Sequence, residues 1–231
     1  MADPDFPRWR RVWMEWPDDL VPILPYLPGD AARSWIVLAP VLPASAYLIG
    51  GTALAAHLGH RVSRDLDFAL AQQEDIPAAR AHIEGAGLFA VTEQDERTLN
   101  GLFGNTKIQL LDASTHHVLV EPTVIAGIKV AGVEDIAAMK MKVIMDRGAL
   151  RDYFDLMELD RRRVIPAEEA LRLLLEKYEP RNPDETLMTV VRALGYLDDV
   201  EADPALPVSG DDIARYWSKR QPQVLRNLAR W

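Results

Sequence analysis

Cysteine is absent from the chain, which excludes disulfide staples, thiolate zinc centres and a cysteine nucleophile. Long apolar runs are absent too. The longest candidate, around Trp35–Ala39, falls far short of the ~20 residues that a membrane-spanning helix needs. An excess of positive charge is the third absence: the formal net charge of −9 argues against broad, nonspecific nucleic-acid binding. The opening Met1-Ala2-Asp3-Pro4-Asp5 is acidic and lacks the charged-then-apolar order of a signal peptide, so a cytoplasmic location and no membrane partner are expected.

The rest of the composition, 48% hydrophobic and 26% charged, is that of an ordinary globular protein, and 231 residues suffice for one large domain or two small ones. Basic groups do cluster locally. Arg8, Arg10 and Arg11 are interleaved with Trp9, Trp13 and Trp16, and Arg215, Lys219, Arg220, Arg226 and Arg230 follow one another with no acid between Ile213 and Trp231. Such clusters suit phosphate contact with base stacking, but the plainer reading is a solvated helix face with tryptophans on the core.

Proline punctuates the start of the chain, at positions 4, 7, 17, 22, 25, 28, 40 and 43, so residues 1–44 are expected to be short helical pieces and turns. Ala46-Tyr47-Leu48-Ile49 reads as a buried strand stopped by Gly50 and Gly51. Thr52–Leu58 reads as a helix capped by Thr52 and ended by Gly59. The alternation in Arg64–Leu70 predicts a second strand, Pro77–Gly85 a helix, Thr106–Asp112 a third strand, and Val118–Val120 and Ile128–Val130 edge strands. From Val133 the pattern becomes helical, over Val133–Arg147, Ala149–Asp160, Pro166–Tyr178 and a last helix from about Asp211, with a loop at Leu197–Pro207. The expected organisation is an α/β core at 45–132 and a helical region at 133–231 that completes the active site, behind the proline-rich segment 1–44.

The order Gly50-Gly51, helix, Gly59-His60-Arg61, Ser63, Asp65-Leu66-Asp67 carries the chemistry. Two glycines between strand and helix let backbone approach an anion at a helix N-terminus. Asp65 and Asp67, two apart on a strand, leave the same face. Paired carboxylates repel unless a cation joins them, and hard oxygens select Mg2+ or Mn2+ bridging to phosphates. Asp112, ending the third strand, is the candidate third carboxylate for a two-metal site, with a neighbouring strand placing it beside the pair. Five histidines (His57, His60, His82, His116 and His117) show no metal-ligand spacing, and none is assigned a catalytic role.

Leu48 through Phe68 resembles the signature of the AbiEii-type nucleotidyltransferase toxins, within the DNA polymerase β-like superfamily. A second block, Glu134–Lys140 through Asp146-Arg147-Gly148 to Arg151-Asp152 and Asp155-Leu156, resembles that family's downstream lysine and aspartate motifs. The resemblance spans about residues 47–160. It implies an α+β fold with a mixed sheet flanked by helices, and transfer of a nucleoside monophosphate from an NTP to an RNA end such as tRNA or to a protein hydroxyl. It also implies a toxin opposed by a cognate antitoxin. Gly50 and Gly51 correspond to the phosphate turn, with Thr52 in place of the serine common in the superfamily, and Asp65 and Asp67 to the metal ligands.

On the residues themselves, Lys140, Arg147 and Arg151 fall near one helical face and offer charge to phosphates. Arg61 and Ser63 join the nucleotide-binding set. Carboxylates inside an apolar stripe are costly unless paired, so Asp152 or Asp155 should meet a cation. The functional reading has Lys140 neutralising the triphosphate and Asp155 orienting it or acting as base; the structural reading has Arg151–Asp155 or Arg147–Asp152 ion pairs. The alternatives in function are a small-molecule nucleotidyltransferase or phosphotransferase using the same site, and a non-catalytic nucleotide-binding module.

Overall fold

Short apolar runs stopped by glycine build the centre of the molecule. In the computed structural model, which describes residues 15–72 and 75–229, Ala46–Ile49 is β1, fully buried, and runs directly into α2 (Gly50–Leu58). Gly59, at φ +54°, ends α2 in the left-handed region, where a side chain would also strike the Tyr26 ring. The chain then returns as β2 (Leu66–Leu70), antiparallel to β1 with Ile49 opposite Asp67. A 3-10 turn (Val21–Tyr26) and α1 (Gly29–Leu38) precede this unit, and α3 (Asp75–Ala86) follows it.

Next come β3 (Phe89–Gln94), β4 (Thr98–Phe103), β5 (Thr106–Asp112), β6 (Thr123–Ile125) and β7 (Ile128–Val130). The seven strands form one mixed sheet in the order β3-β4-β5-β2-β1-β7-β6, in which the β2–β5 and β1–β7 pairs are parallel. In β5, Thr106, Ile108, Leu110 and Asp112 are buried, while Lys107 is exposed and Gln109 and Leu111 are half-buried. That alternation gives this part of the sheet one covered and one open face. Helices α1 and α3 lie over the covered face, with the buried Ser34 hydroxyl 2.8 Å from that of Thr106.

The second half is helical: α4 (Val133–Arg147), α5 (Leu150–Arg161), α6 (Ala167–Tyr178), α7 (Pro183–Leu194) and α8 (Gly210–Leu228). Helix α4 packs against α2 and so joins the two halves. Helix α8 buries Trp217, whose indole donates to the Tyr153 carbonyl, and its Arg220 holds Asp160 at 2.7 Å and Glu168 at 2.5 Å. Part of the basic C-terminal run is therefore structural, since Arg215 also pairs with Asp212 on its own helix. The N-terminal cluster Arg8, Arg10 and Arg11 with Trp9 and Trp13 lies outside the described residues, as does Arg230.

Two expectations are corrected. Val118–Val120 is not a strand: the Leu119 and Val120 amides donate to the buried Asp135 carboxylate, and Lys177 takes the His117 carbonyl, so side chains satisfy the backbone that a neighbouring strand would have paired. The edge strand is Thr123–Ile125 instead. Thr52 does not cap α2, which starts two residues earlier at Gly50. The hairpin β3–β4 and helix α7 were not anticipated at all.

The Asp135–Lys177 pair, at 2.5 Å with both side chains about 1% exposed, ties loop 113–122 to α4 and α6. Asp135→Ala would strand a buried ammonium and two amides, so it is expected to cost about 3–5 kcal/mol of stability, read as a lowered midpoint in urea. A shift of a few tenths of a kcal/mol would mean the pair is peripheral.

Candidate active site

Gly50 sits at φ +73°, a left-handed conformation that glycine adopts without strain. Its backbone also has company: a Cβ there would lie 2.6 Å from Asp67 Oδ2. At Gly51 a Cβ would lie 2.4 Å from Arg61 Nη2 and 3.1 Å from Ser63 Oγ. The Asp67 carboxylate thus borders Gly50, and the Arg61 guanidinium and Ser63 hydroxyl border Gly51, around the opening at the first turn of α2. Amides at the N-terminus of a nine-residue helix point into it.

Loop 59–65 is locked from below. The Thr52 hydroxyl donates to the Asp65 carbonyl and lies 2.8 Å from Ser63 Oγ, both side chains buried. Since Thr52 has one proton and a carbonyl only accepts, Ser63 completes the pair by donating to Thr52. These hydroxyls hold the backbone that carries Asp65, so Thr52 does not present its oxygen to a phosphate as expected from sequence.

Behind the cradle lies a buried charge cluster centred on Asp155, whose side chain is fully buried. Its Oδ1 accepts from His60 Nε2 at 2.8 Å and Arg61 Nε at 2.6 Å; its Oδ2 accepts from Arg61 Nη2 at 2.8 Å and meets Lys140 Nζ at 2.8 Å. Lys140 Nζ also donates to Asp152 Oδ1 at 2.6 Å. Burial opposes ionisation of Asp155, but the Lys140 charge and the bonds from Arg61 and His60 override it and hold the carboxyl far below the usual range. The charges of Asp155 and Asp152 raise Lys140 against the lowering effects of its own burial and of Arg61.

Three assignments change accordingly. Asp155 is no base: a carboxylate with four donors around it and a strongly depressed pKa has little proton affinity to offer. Lys140 is a partner of Asp155 and Asp152, not an ammonium free for a triphosphate. The expected Arg151–Asp155 pair is replaced by Arg61 and Lys140. His60, given no role from sequence, is part of this cluster, stacked on Phe154 with ring centres 5.9 Å apart. Its ionised partner only accepts, so Nε2 carries the proton, and Nδ1 is buried with no hydrogen-bond partner among the described residues. The signal for it was its place in Gly59-His60-Arg61. The Arg147 side chain lies outside the described residues. Lys142, by contrast, pairs on the helix surface with Asp146.

Asp112 is not beside the pair. The parallel register sets Asp67 opposite Gln109 and Leu70 opposite Asp112. Asp112 is therefore three residues, roughly 10 Å, further along and on the other face. There Arg97 holds it at 3.0 Å and the Ser114 amide donates to it. Among the described residues no group of three or more histidine or carboxylate side chains gathers into a metal site.

Asp67 is the strained member of the site. Burial first, then the charge of Asp65, push its carboxyl up to about 6, against the opposing pull of Lys140 and Arg151. Two hard oxygens held close enough to raise a pKa, beside an open glycine turn, are a donor set that fits Mg2+ or Mn2+.

The half-buried Asp67 and the fully buried Asp155 should respond oppositely to mutation and pH. Asp67 has a folded pKa above its unfolded value of about 4, so its ionisation costs stability fully above pH ~6 and not at all below ~4. Asp67→Asn should then raise unfolding free energy at pH 7.5 by on the order of 1–3 kcal/mol, the gain vanishing near pH 4. Asp155 has a depressed pKa, so its contribution is present above pH ~4 and is lost as pH falls through the folded pKa. Asp155→Asn should cost about 3–5 kcal/mol at pH 7.5. Chemical denaturation of both variants across pH checks this, and equal effects of the same sign would contradict the assignment.

The family model for the nucleotidyl transferase AbiEii toxin of type IV toxin–antitoxin systems matches residues 38–230. An uncharacterised protein of Aquifex aeolicus (strain VF5) is 31% identical over 177 residues, covering 75% of this chain and 81% of that one. Among solved structures, the nucleotidyltransferase toxin MenT4 of Mycobacterium tuberculosis H37Rv superposes with a TM-score of 0.59 at 18% identity, covering 90% of this chain and 88% of that one. JHP933 of Helicobacter pylori gives 0.53 at 16% identity, covering 88% and 95%. At such identities the two structures speak to fold alone, an α+β arrangement with a mixed sheet flanked by helices. The family match reaches from before β1 to the end of α8, and on it the chain belongs to the AbiEii nucleotidyltransferase toxin family.

Proposed function

We propose that the protein transfers a nucleoside monophosphate from an NTP to an acceptor hydroxyl, with a divalent cation held by Asp65 and Asp67. The observation that carries the reading is the meeting of Gly50 and Asp67: a left-handed glycine at a helix N-terminus, with a carboxylate oxygen where its Cβ would be. Anion cradle and cation ligand are thereby adjacent, as a triphosphate–metal complex requires. When bound, Mg2+ or Mn2+ supplies charge neutralisation and bridges the phosphates to the carboxylates.

The chain's own groups divide the remaining work. Amides of the first turn of α2 bind phosphate oxygens, and Arg61 Nη2 lends positive charge beside Gly51. Asp155 restrains that guanidinium by two bonds, so its orientation is set before substrate arrives. Lys140 and Arg151 add field at Asp67 without needing to touch substrate.

A cleft of about 660 Å3 between the α4–α5 junction, the end of α7 and loop 197–207 includes Arg151, Tyr153, Tyr196 and the acids Asp199 and Asp203. This cleft is lined by none of Gly50, Gly51, Asp65 and Asp67, and its Arg151 acts on Asp67 through charge alone. Its size suits a nucleotide, while its acidic rim repels a polynucleotide backbone. An RNA acceptor such as a tRNA end would therefore approach over the open face of the sheet; a protein hydroxyl is the other acceptor the site admits. A cognate antitoxin, opposing toxicity, follows from the family.

Incubation with each labelled NTP, Mg2+ and RNA or protein acceptors tests the reading. Label should pass to one acceptor class, and Asp65→Asn or Asp67→Asn should reduce transfer ~10²-fold or more, with the fold retained. Gly51→Val should weaken NTP binding by calorimetry whatever the acceptor, because its side chain would collide with Arg61 and Ser63. Unchanged transfer in both aspartate variants would overturn the proposal.

A further inference from the structure

Four side chains on four neighbouring strands share one register line. Asp67 of β2 lies opposite Gln109 of β5, Gln109 opposite Asn100 of β4, and Asn100 opposite Glu93 of β3. Directly paired residues project from the same face, so the row crosses the open face of the sheet from the carboxylate pair to its edge. Three members are joined: Gln109 Nε2 donates to Asn100 Oδ1 at 2.8 Å, and Asn100 Nδ2 donates to Glu93 Oε2 at 3.0 Å.

The direction of this ladder is dictated from its outer end. A carboxylate only accepts, so Asn100 must turn its amide nitrogen to Glu93 and its oxygen to Gln109. Gln109 must then give its nitrogen to Asn100. Its oxygen, Oε1, is left as the free end, with no donor to it among the described residues. The strand on the side away from Asn100 is β2, which carries Asp67. Asp112, on the other face and paired with Arg97, cannot take that place.

We propose that Gln109 Oε1, aimed by Asn100 and Glu93, is the third protein oxygen for the cation that Asp65 and Asp67 would hold. The inference rests on the metal reading above and deepens it. The cation then meets two protein negative charges, not three. Its affinity for the free protein is correspondingly modest, and the triphosphate supplies the missing charge, so cation and NTP enter together.

Mn2+ binding to the full chain, followed by electron paramagnetic resonance with and without a non-hydrolysable NTP, tests this apart from activity. The parent should bind Mn2+ weakly alone and more tightly with nucleotide. Gln109→Leu should weaken binding by about tenfold, and Asn100→Leu by less, because the amide is then free to turn. Gln109→Glu should bind Mn2+ alone about tenfold more tightly than the parent, with charge added to the ligand set. That variant should also melt lower without metal, its carboxylate facing Asn100 Oδ1, and recover on adding Mn2+. A Gln109→Leu and Gln109→Glu pair that both bind like the parent, while Asp67→Asn abolishes binding, would overturn the role of Gln109 and leave the metal reading intact. A parent that binds no Mn2+ with or without nucleotide would overturn both.

Discussion

The buried carboxylate of Asp155 is the interaction on which the rest of the site depends. It sits in α5, and its partners come from the loop after α2 and from α4, so one ionised group joins the sheet unit to the helical half. Such a charge persists in a dry interior only because every lone pair is met; removing a single donor would expose the desolvation penalty of the remainder. Arg61, fixed in this way, borders Gly51, and the Thr52–Ser63–Asp65 bonds fix the rest of the same loop. The Gly50-Gly51 turn is therefore held from both sides.

Local features of the sequence were legible where local physics decides them. Ala46–Ile49, Thr106–Asp112 and Val133–Arg147 have the bounds that apolar runs, alternation and helical spacing predict. Gly50-Gly51 was readable as a turn and Asp67 as a strand residue from local pattern alone, although the strand expected from Arg64 begins only at Leu66 and leaves Asp65 just before it. Register was not readable. Whether Asp112 or Gln109 lies beside Asp67 depends on a parallel pairing across some forty residues, and a shift of three positions exchanges both neighbour and face. Partner choice was equally hidden: periodicity puts Lys140 on an inward face, but only the folded chain shows that two carboxylates wait there. Loop 113–122 misled for a related reason, since Asp135 and Lys177 supply hydrogen bonds that a strand would otherwise have made.

Asp65 and Asp67 stand in contrast to the Asp155 cluster. One set of charges is compensated by the fold, the other is left in tension, with Asp67 pushed up to about 6 by burial and by its neighbour. A structure that balances Asp155 with four contacts and leaves Asp67 uncompensated beside an open glycine turn concentrates its electrostatic cost where a ligand can relieve it. Membership in the AbiEii nucleotidyltransferase toxin family gives that tension a chemical meaning.

The most direct measurement is paramagnetic line broadening of backbone amides by Mn2+ in the presence of a non-hydrolysable NTP. The account predicts that broadening is strongest at Gly50, Gly51, Asp65, Asp67 and Gln109 and falls off toward Arg97, Asp112 and Ser114. Broadening centred on Asp112 and Ser114, or confined to the helical half, would contradict it.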